Sequence, residues 1–131
     1  MIGLDTNVLV RYLVEDDTAQ ASKAAHLIET RCTEDTPGFV NRVVLCELVW
    51  VLESAYDYSR ATVAATLENL LRTAELEIDA ADAAWPALSA YRGGGVDFSD
   101  ALVGRLNRNA GCDATATFDK GAARQDDFFA P

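Results

Sequence analysis

The chain has 131 residues, of which 50% are hydrophobic, 24% are charged and only three are proline. This composition excludes a disordered, collagen-like or low-complexity chain and predicts one globular domain over residues 1–131. The formal charge is −10, from 21 acidic and 11 basic side chains, so a nucleic acid would be repelled at long range. We expect such a partner to be held locally or through a bound cation, and a basic protein partner is also expected.

Cysteine usage and the hydrophobic pattern predict a protein of the reducing cytoplasm. Cys32, Cys46 and Cys112 are odd in number and widely spaced, which excludes a disulfide framework or a thiolate zinc site. The start of the chain shows no export signal, and the most apolar stretch is interrupted by Glu47. We therefore expect no association with a membrane.

Short strands alternate with helices along the chain. The strands are expected at residues 2–4, 38–40, 76–78 and 112–118. The helices are expected from about Val8 to Leu13, Thr18 to near Cys32, Arg42 to about Tyr56, Arg60 to Arg72, the Asp79–Asp82 segment to the glycines at 93–95, and the Asp97–Asp100 segment to Gly111. Because parallel strands need long crossovers, this order predicts an α/β fold whose parallel sheet is covered on both faces.

Capping residues should mark the helix ends. The expected N-terminal caps are Asp16–Thr18, Asn41, Ser59, Asp79 or Asp82, and Asp97. Pro86 is expected in the first turn of its helix, where proline is tolerated, and Gly111 should close the sixth helix. The glycines at 93–95 match no phosphate-binding signature and are interpreted as a flexible helix end.

Two acids follow predicted strands. Asp5 comes after the first strand and Asp119 after the last, and ligands bind at that edge of an open parallel sheet. Either residue alone could be an ordinary turn residue or helix cap. Together they favour a ligand-binding site at this edge of the sheet.

Three further acids lie on helices. Glu47 lies in mid-helix beside apolar residues, which suggests a buried ligand, although it could also reach water or pair with Arg42. Asp97 and Asp100 stand three apart at a helix start, where Asp97 fits a cap and Asp100 fits either a cap or a ligand.

Convergence of Asp5, Glu47, Asp100 and Asp119 would require a cation to offset carboxylate repulsion. Carboxylates without His or Cys select Mg²⁺ or Mn²⁺, which suits hydrolysis of a phosphodiester. The candidates for nearby polar contacts are Thr6, Asn7 and Thr117, each with local capping as the alternative. The basic residues placed to hold a nucleic-acid backbone are Lys120, Arg124 and Arg11, for any of which a solvated surface position is the alternative.

The ordered motifs resemble a known family. They are Asp5-Thr6-Asn7-Val8-Leu9, Val44-Leu45-Cys46-Glu47-Leu48, Asp97-Phe98-Ser99-Asp100-Ala101-Leu102 and Thr117-Phe118-Asp119. Over essentially its whole length the chain resembles the PIN-domain ribonucleases, most closely the VapC-type toxins of toxin–antitoxin pairs.

The resemblance implies a three-layer α/β/α fold with a short central parallel sheet and an endonuclease that cuts RNA with Mg²⁺ or Mn²⁺. It implies Asp5, Glu47, Asp100 and Asp119 as the metal-binding and catalytic acids, with Asp97 as an auxiliary acid. Relatives often carry the last acid three residues further on, so direct and water-mediated binding by Asp119 both stay open. The resemblance also implies a homodimer and inhibition by a cognate antitoxin.

Three other functions compete. A phosphatase of the haloacid dehalogenase type would also place an Asp after its first strand, but it needs D-x-D, and position 7 is Asn. A receiver domain needs a phosphoacceptor Asp after a middle strand, for which Asp79 is a poor candidate. A PIN-like interaction domain that no longer cuts RNA is the third.

Overall fold

The computed structural model describes residues 1–131 as five strands and seven helices. The strands are β1 (Ile2–Gly3), β2 (Gly38–Val40), β3 (Leu76–Ile78), β4 (Thr115–Ala116) and β5 (Phe128–Phe129). The helices are α1 (Thr6–Val14), α2 (Thr18–Arg31), α3 (Arg42–Ser54), α4 (Arg60–Arg72), α5 (Ala81–Gly93), α6 (Phe98–Asn109) and α7 (Lys120–Ala123).

All strand pairs are parallel. The order β1-β2-β3 forms one sheet, with Ile2 opposite Gly38 and Gly38 opposite Leu76. Two helices connect each pair of neighbouring strands, as parallel pairing requires. The strands β4 and β5 form a separate parallel pair. The predicted α/β fold with a short parallel sheet is confirmed, and its strands divide into these two groups.

The core fixes the end of α5 and the segment that follows it. Tyr91 and Phe98 are buried edge to face with ring centroids 6.2 Å apart, and the Tyr91 hydroxyl donates to Glu53 at 2.7 Å. The Arg60 guanidinium lies over the Tyr91 ring and donates to the carbonyls of Tyr91 and Val96, both at 2.9 Å. The chain that leads into α6 is therefore held from both ends.

None of the helices combines the length and apolar character needed to cross a membrane.

Caps with local signals occur where they were predicted. The side chains of Asp17, Asn41 and Ser59 accept from the amide three residues further on, at 3.0, 2.9 and 3.2 Å. Gly111 has φ 106° directly after α6, and its amide donates to the Arg108 carbonyl. The Cys112 amide donates to the Asn107 carbonyl, which completes a Schellman ending.

The start of α5 differs from the prediction. Neither Asp79 nor Asp82 caps it, because Ala80, with φ 59°, stands at the cap position. Asp79 instead accepts two hydrogen bonds from Arg42, at 2.9 and 3.2 Å, and this bidentate ion pair takes the carboxylate away from the helix. Because α5 begins at Ala81, Pro86 lies beyond the first turn, where its missing N–H leaves the Asp82 carbonyl without a helical partner.

The C-terminal segment also differs. The predicted strand at 112–118 is only Thr115–Ala116, because the Gly111 ending occupies its start and a turn occupies its end. The short helix α7 and strand β5 carried no recognised sequence signal. Phe128 packs so closely on Gly104 of α6 that a methyl group there would overlap its ring. Arg105 and Arg108 of α6 both pair with Asp127, at 3.3 and 2.7 Å, so α6 anchors this segment.

Candidate active site

Asp5 stands where β1 passes into α1. The Leu4 amide donates to the Phe39 carbonyl at 2.9 Å, so the sheet fixes the backbone up to this point. The exposed Asp5 carboxylate is the N-cap of α1 and accepts from the Thr6 amide at 2.7 Å through one oxygen. Thr6 is only 7% exposed, and its hydroxyl has no hydrogen-bond partner. Asp5 therefore has a structural role as a cap and keeps its second oxygen available.

Asp97 and Asp119 come close enough to influence the pKa of Asp100. Asp97 occupies the N-cap position of α6, as predicted, but its side chain makes no capping hydrogen bond. Asp100 lies one turn into the helix and is half-buried. Burial raises the pKa of Asp100 above its ordinary value, and the charges of Asp119 and Asp97 raise it further. Asp119 and Asp97 therefore lie near enough to oppose the charge of Asp100, but the three acids do not form a group that could hold a metal ion by themselves.

A close approach between the backbones at Gly121 and Gly95 fixes the loop that carries Asp119. Gly121, at the start of α7, lies so near the Gly95 carbonyl oxygen that a side chain there would overlap it. The Thr117 hydroxyl accepts from the Asp119 amide at 3.1 Å, and the Asp119 carboxylate accepts from the Ala122 amide at 2.7 Å. Asp119 is thus also the N-cap of a short helix, and the local role considered for Thr117 is observed.

Glu47 is exposed on α3, which packs against both α1 and α6. The suggestion that its carboxylate is buried is wrong, because apolar neighbours at 44, 45 and 48 take the core face of the helix. The alternative pairing with Arg42 does not occur either, since Asp79 holds that guanidinium. Glu47 remains free to bind a ligand from solvent.

The family comparison covers almost the whole chain. The PIN domain matches residues 2–127. The chain belongs to the PIN domain family. No significant match was found among curated proteins or among solved structures. PIN domains are typically metal-dependent nucleases. The family therefore indicates that this protein is a nuclease, which is a class of hydrolase.

The acids of this PIN domain suit a hard divalent cation. No three acidic, histidine or cysteine side chains lie together as a ready-made cage, so Asp5 and Glu47 do not complete one with Asp100 and Asp119. The available donors are nevertheless all oxygens, and their mutual repulsion is the kind that a cation relieves. Magnesium commonly uses only one or two protein carboxylates and takes water and phosphate oxygens for the rest. The donor set therefore fits such an ion.

The candidate RNA-binding side chains of the PIN domain differ in the contacts that they already make. Lys120 and Arg124 are exposed and make no ion pair. Arg11 instead donates to Gln20 at 2.6 Å, to Asp16 at 3.1 Å and to the Tyr56 hydroxyl at 3.3 Å. Lys120 and Arg124 are thus free to bind a phosphate, whereas Arg11 would have to exchange these contacts.

Three features beside the acids were not predicted from sequence. Phe118 is 92% exposed, and the pattern suggested only the end of a strand. Gly95 and Gly121 make the approach that holds Asp119. The only sequence signal for this contact is the glycine at position 121, and it does not indicate that Gly95 is the partner.

Proposed function

We propose that this PIN domain is an endoribonuclease that hydrolyses RNA with Mg²⁺ or Mn²⁺. The observation that carries the proposal is the approach of the Asp119 loop to Gly95, two residues before Asp97, in a chain that the PIN domain family covers from residue 2 to residue 127. A cluster of carboxylates without histidine or a thiol suits phosphodiester hydrolysis assisted by a hard cation.

The proposed roles follow from the resemblance and from the side-chain oxygens that remain available. Asp5, Glu47, Asp100 and Asp119 would hold the cation, which when bound polarises a phosphodiester and lowers the pKa of a water molecule. Asp97 makes no capping hydrogen bond, so its carboxylate is available to accept a proton from the attacking water.

Polar groups around the acids would position the RNA. Thr6 and the exposed Asn7 lie in the first turn of α1, beside Asp5, where they can contact a phosphate or a water. Thr117 fixes the backbone of Asp119 through its hydroxyl. Lys120 and Arg124 would hold the RNA backbone, and Arg11 would join them if it left Asp16.

We also propose that the protein is the toxin of a toxin–antitoxin pair, acts in the cytoplasm and forms a homodimer. The resemblance to VapC-type toxins supports this role, and the net charge of −10 favours a basic antitoxin. The homodimer rests on the same resemblance.

Incubation of the purified protein with total cellular RNA tests the nuclease. We expect new RNA ends with Mg²⁺ or Mn²⁺, none with EDTA, and none from Asp100→Asn under any condition. Mapping the ends would identify the cleavage site. Folded protein that produces no ends with either metal would overturn the proposal and favour the interaction domain that does not cut.

Induced expression tests the toxin role separately. We expect the unaltered chain to arrest growth and Asp100→Asn at the same protein level to leave growth unchanged. Equal growth of the two cultures would contradict the toxin role, even if the protein cuts RNA in solution.

A further inference from the structure

Phe118 presents an aromatic ring to solvent in the loop that carries Asp119. It is 92% exposed, more than any other large hydrophobic side chain in the protein, and it precedes Asp119 in the chain. Single exposed apolar residues are common on protein surfaces, so exposure alone assigns no role. The position and surroundings of this ring carry the argument.

The backbone on both sides of Phe118 is fixed. The Thr117 amide donates to the Phe129 carbonyl at 3.0 Å, and the Asp119 amide donates to the Thr117 hydroxyl at 3.1 Å. Gly121 packs on Gly95 just beyond. Because this backbone is already fixed, stacking on a ligand has to order only the Phe118 side chain.

Two unpaired cations close to Phe118 in the chain suit a nucleic-acid backbone. Lys120 and Arg124 follow within the same short segment, both exposed and both without an ion pair, whereas most arginines of the protein are paired. An aromatic ring beside unpaired cations is the combination that binds single strands, because the cations hold phosphates and the ring stacks on a base.

We propose that Phe118 stacks on one base of an unpaired RNA strand, next to the phosphate held at the acids. This inference rests on the proposed ribonuclease function and gives the ring of Phe118 the role of holding one base of the strand. A base in a continuous duplex is already stacked on both faces and is not available to the ring. The ring therefore positions the strand and discriminates against duplex.

Binding is measured in the Asp100→Asn background, so that cleavage does not interfere. The probes are an unstructured 12-nucleotide RNA, the same RNA in a duplex, and single-stranded versions with an abasic site at each position in turn. The variants are Phe118→Leu, which keeps an apolar side chain without a ring, and Phe118→Trp, which keeps the ring. Phe129→Leu is the matched control, since Phe129 is a half-exposed phenylalanine outside the acid loop.

We expect Phe118→Leu to weaken binding of the single strand by about 5-fold to 150-fold, the range for loss of one stacked base. Phe118→Trp and Phe129→Leu should bind within about twofold of the Asp100→Asn protein. One abasic position should weaken binding when Phe118 is present and have no further effect in Phe118→Leu, which identifies the stacked base. Melting temperatures should agree, because the ring is exposed.

Three results would overturn the inference. The first is single-strand binding by Phe118→Leu equal to that of Phe118. The second is an abasic effect that is the same with and without the ring. The third is a loss of self-association in Phe118→Leu with RNA binding intact, which would make the ring a protein contact. Failure of the unaltered protein both to bind and to cut RNA would instead remove the proposed function, and this inference with it.

Discussion

Asp100 is a charged group whose surroundings oppose its charge. Its pKa is raised first by burial and then by the carboxylates of Asp119 and Asp97, so its ionised form costs the folded protein free energy at neutral pH. Replacing it with asparagine removes that cost and keeps the shape of the side chain. Asp100→Asn should therefore melt at or above the temperature of the unaltered protein.

The same variant should lose RNA cleavage by about 100-fold or more, the usual effect of removing one electrostatic group from a reaction centre. Cleavage kinetics at one Mg²⁺ concentration and a thermal melt would check both effects. Asp113→Asn is the control, since Asp113 is exposed and makes no ion pair. Normal cleavage by folded Asp100→Asn would exclude Asp100 as an essential ligand.

Lys120 and Arg124 should each contribute about one phosphate contact. Removing either should weaken RNA binding and reduce the slope of log K against log salt by about 0.7, the value for one phosphate of a single strand. Titrations at several salt concentrations would measure this slope. Arg31→Ala is the control, because Arg31 is an exposed arginine without an ion pair at the end of α2. An unchanged slope in both Lys120→Ala and Arg124→Ala would contradict the assignment.

At the scale of elements, the contact between α7 and the segment after α5 places Asp119. Gly121→Ala would force the Gly95 carbonyl away, which we expect to lower the free energy of unfolding by about 1–3 kcal/mol. Cleavage should fall further than the loss of folded protein explains, because Asp119 moves away from Asp100. Denaturant unfolding and cleavage rates would separate the two effects.

Gly93→Ala is the matched control for this change, because nothing lies within 4 Å of the added methyl group there. It should keep both stability and cleavage. Gly121→Ala with the stability and the cleavage rate of the unaltered protein would show that the approach to Gly95 does not position the acids.

The ion pair between Arg42 and Asp79 links the start of α3 to the end of β3. It holds the pKa of Asp79 below its ordinary value, so it stabilises the fold above about pH 4 and loses that contribution as the pH falls through the lowered pKa. The free energy lost in Arg42→Gln should therefore be larger at pH 7 than at pH 3. Urea unfolding at the two pH values checks this, and an equal loss at both would count against the linkage.

Elements with local signals were predictable from sequence, and those with distant partners were not. Asn41 and Ser59 cap helices because each reaches an amide three residues away. Asp79 resembled a cap as much as they do, but Arg42, 37 residues away in sequence, takes its carboxylate. Strand β5 exists only through its pairing with β4.

The candidate site divides in the same way. The positions of Asp5 and Asp119 after strands follow from the local pattern, and so does the place of Asp100 on α6. The position of the Asp119 loop depends on the approach of Gly121 to Gly95, which no local pattern encodes. The role of Glu47 in metal binding stays a prediction, since it is exposed and outside any ready-made cage.

For the whole molecule, a bound divalent cation should act as a stabiliser. A ligand that binds only the folded form at about 100 times its Kd adds about 2.7 kcal/mol, which for a domain of this size raises Tm by several degrees. Mg²⁺ and Mn²⁺ should produce this shift and Na⁺ at matched ionic strength should not, and EDTA should reverse it. Asp5→Asn and Glu47→Gln should respond less.

Identical melting curves with Mg²⁺, Mn²⁺ and matched Na⁺, even at millimolar divalent ion, would contradict a tight site in the protein alone. The same curves repeated with bound RNA in Asp100→Asn would then show whether the cation needs the RNA phosphates. A shift found only in that case would be consistent with the absence of a ready-made cage.

The separate pairing of β4 and β5 divides the candidate site between two parts of the chain. Asp119, Phe118 and Lys120 belong to a short segment outside the three-stranded sheet, whereas Asp5 and Asp100 belong to elements packed on the main core. This segment is tied to the rest of the protein through α6, by the packing of Phe128 on Gly104 and by the pairing of Asp127 with Arg105 and Arg108. Backbone amides exchange with solvent hydrogen at rates set by local opening, so the amides of residues 115–129 should exchange together with those of α6 rather than with those of the three-stranded sheet.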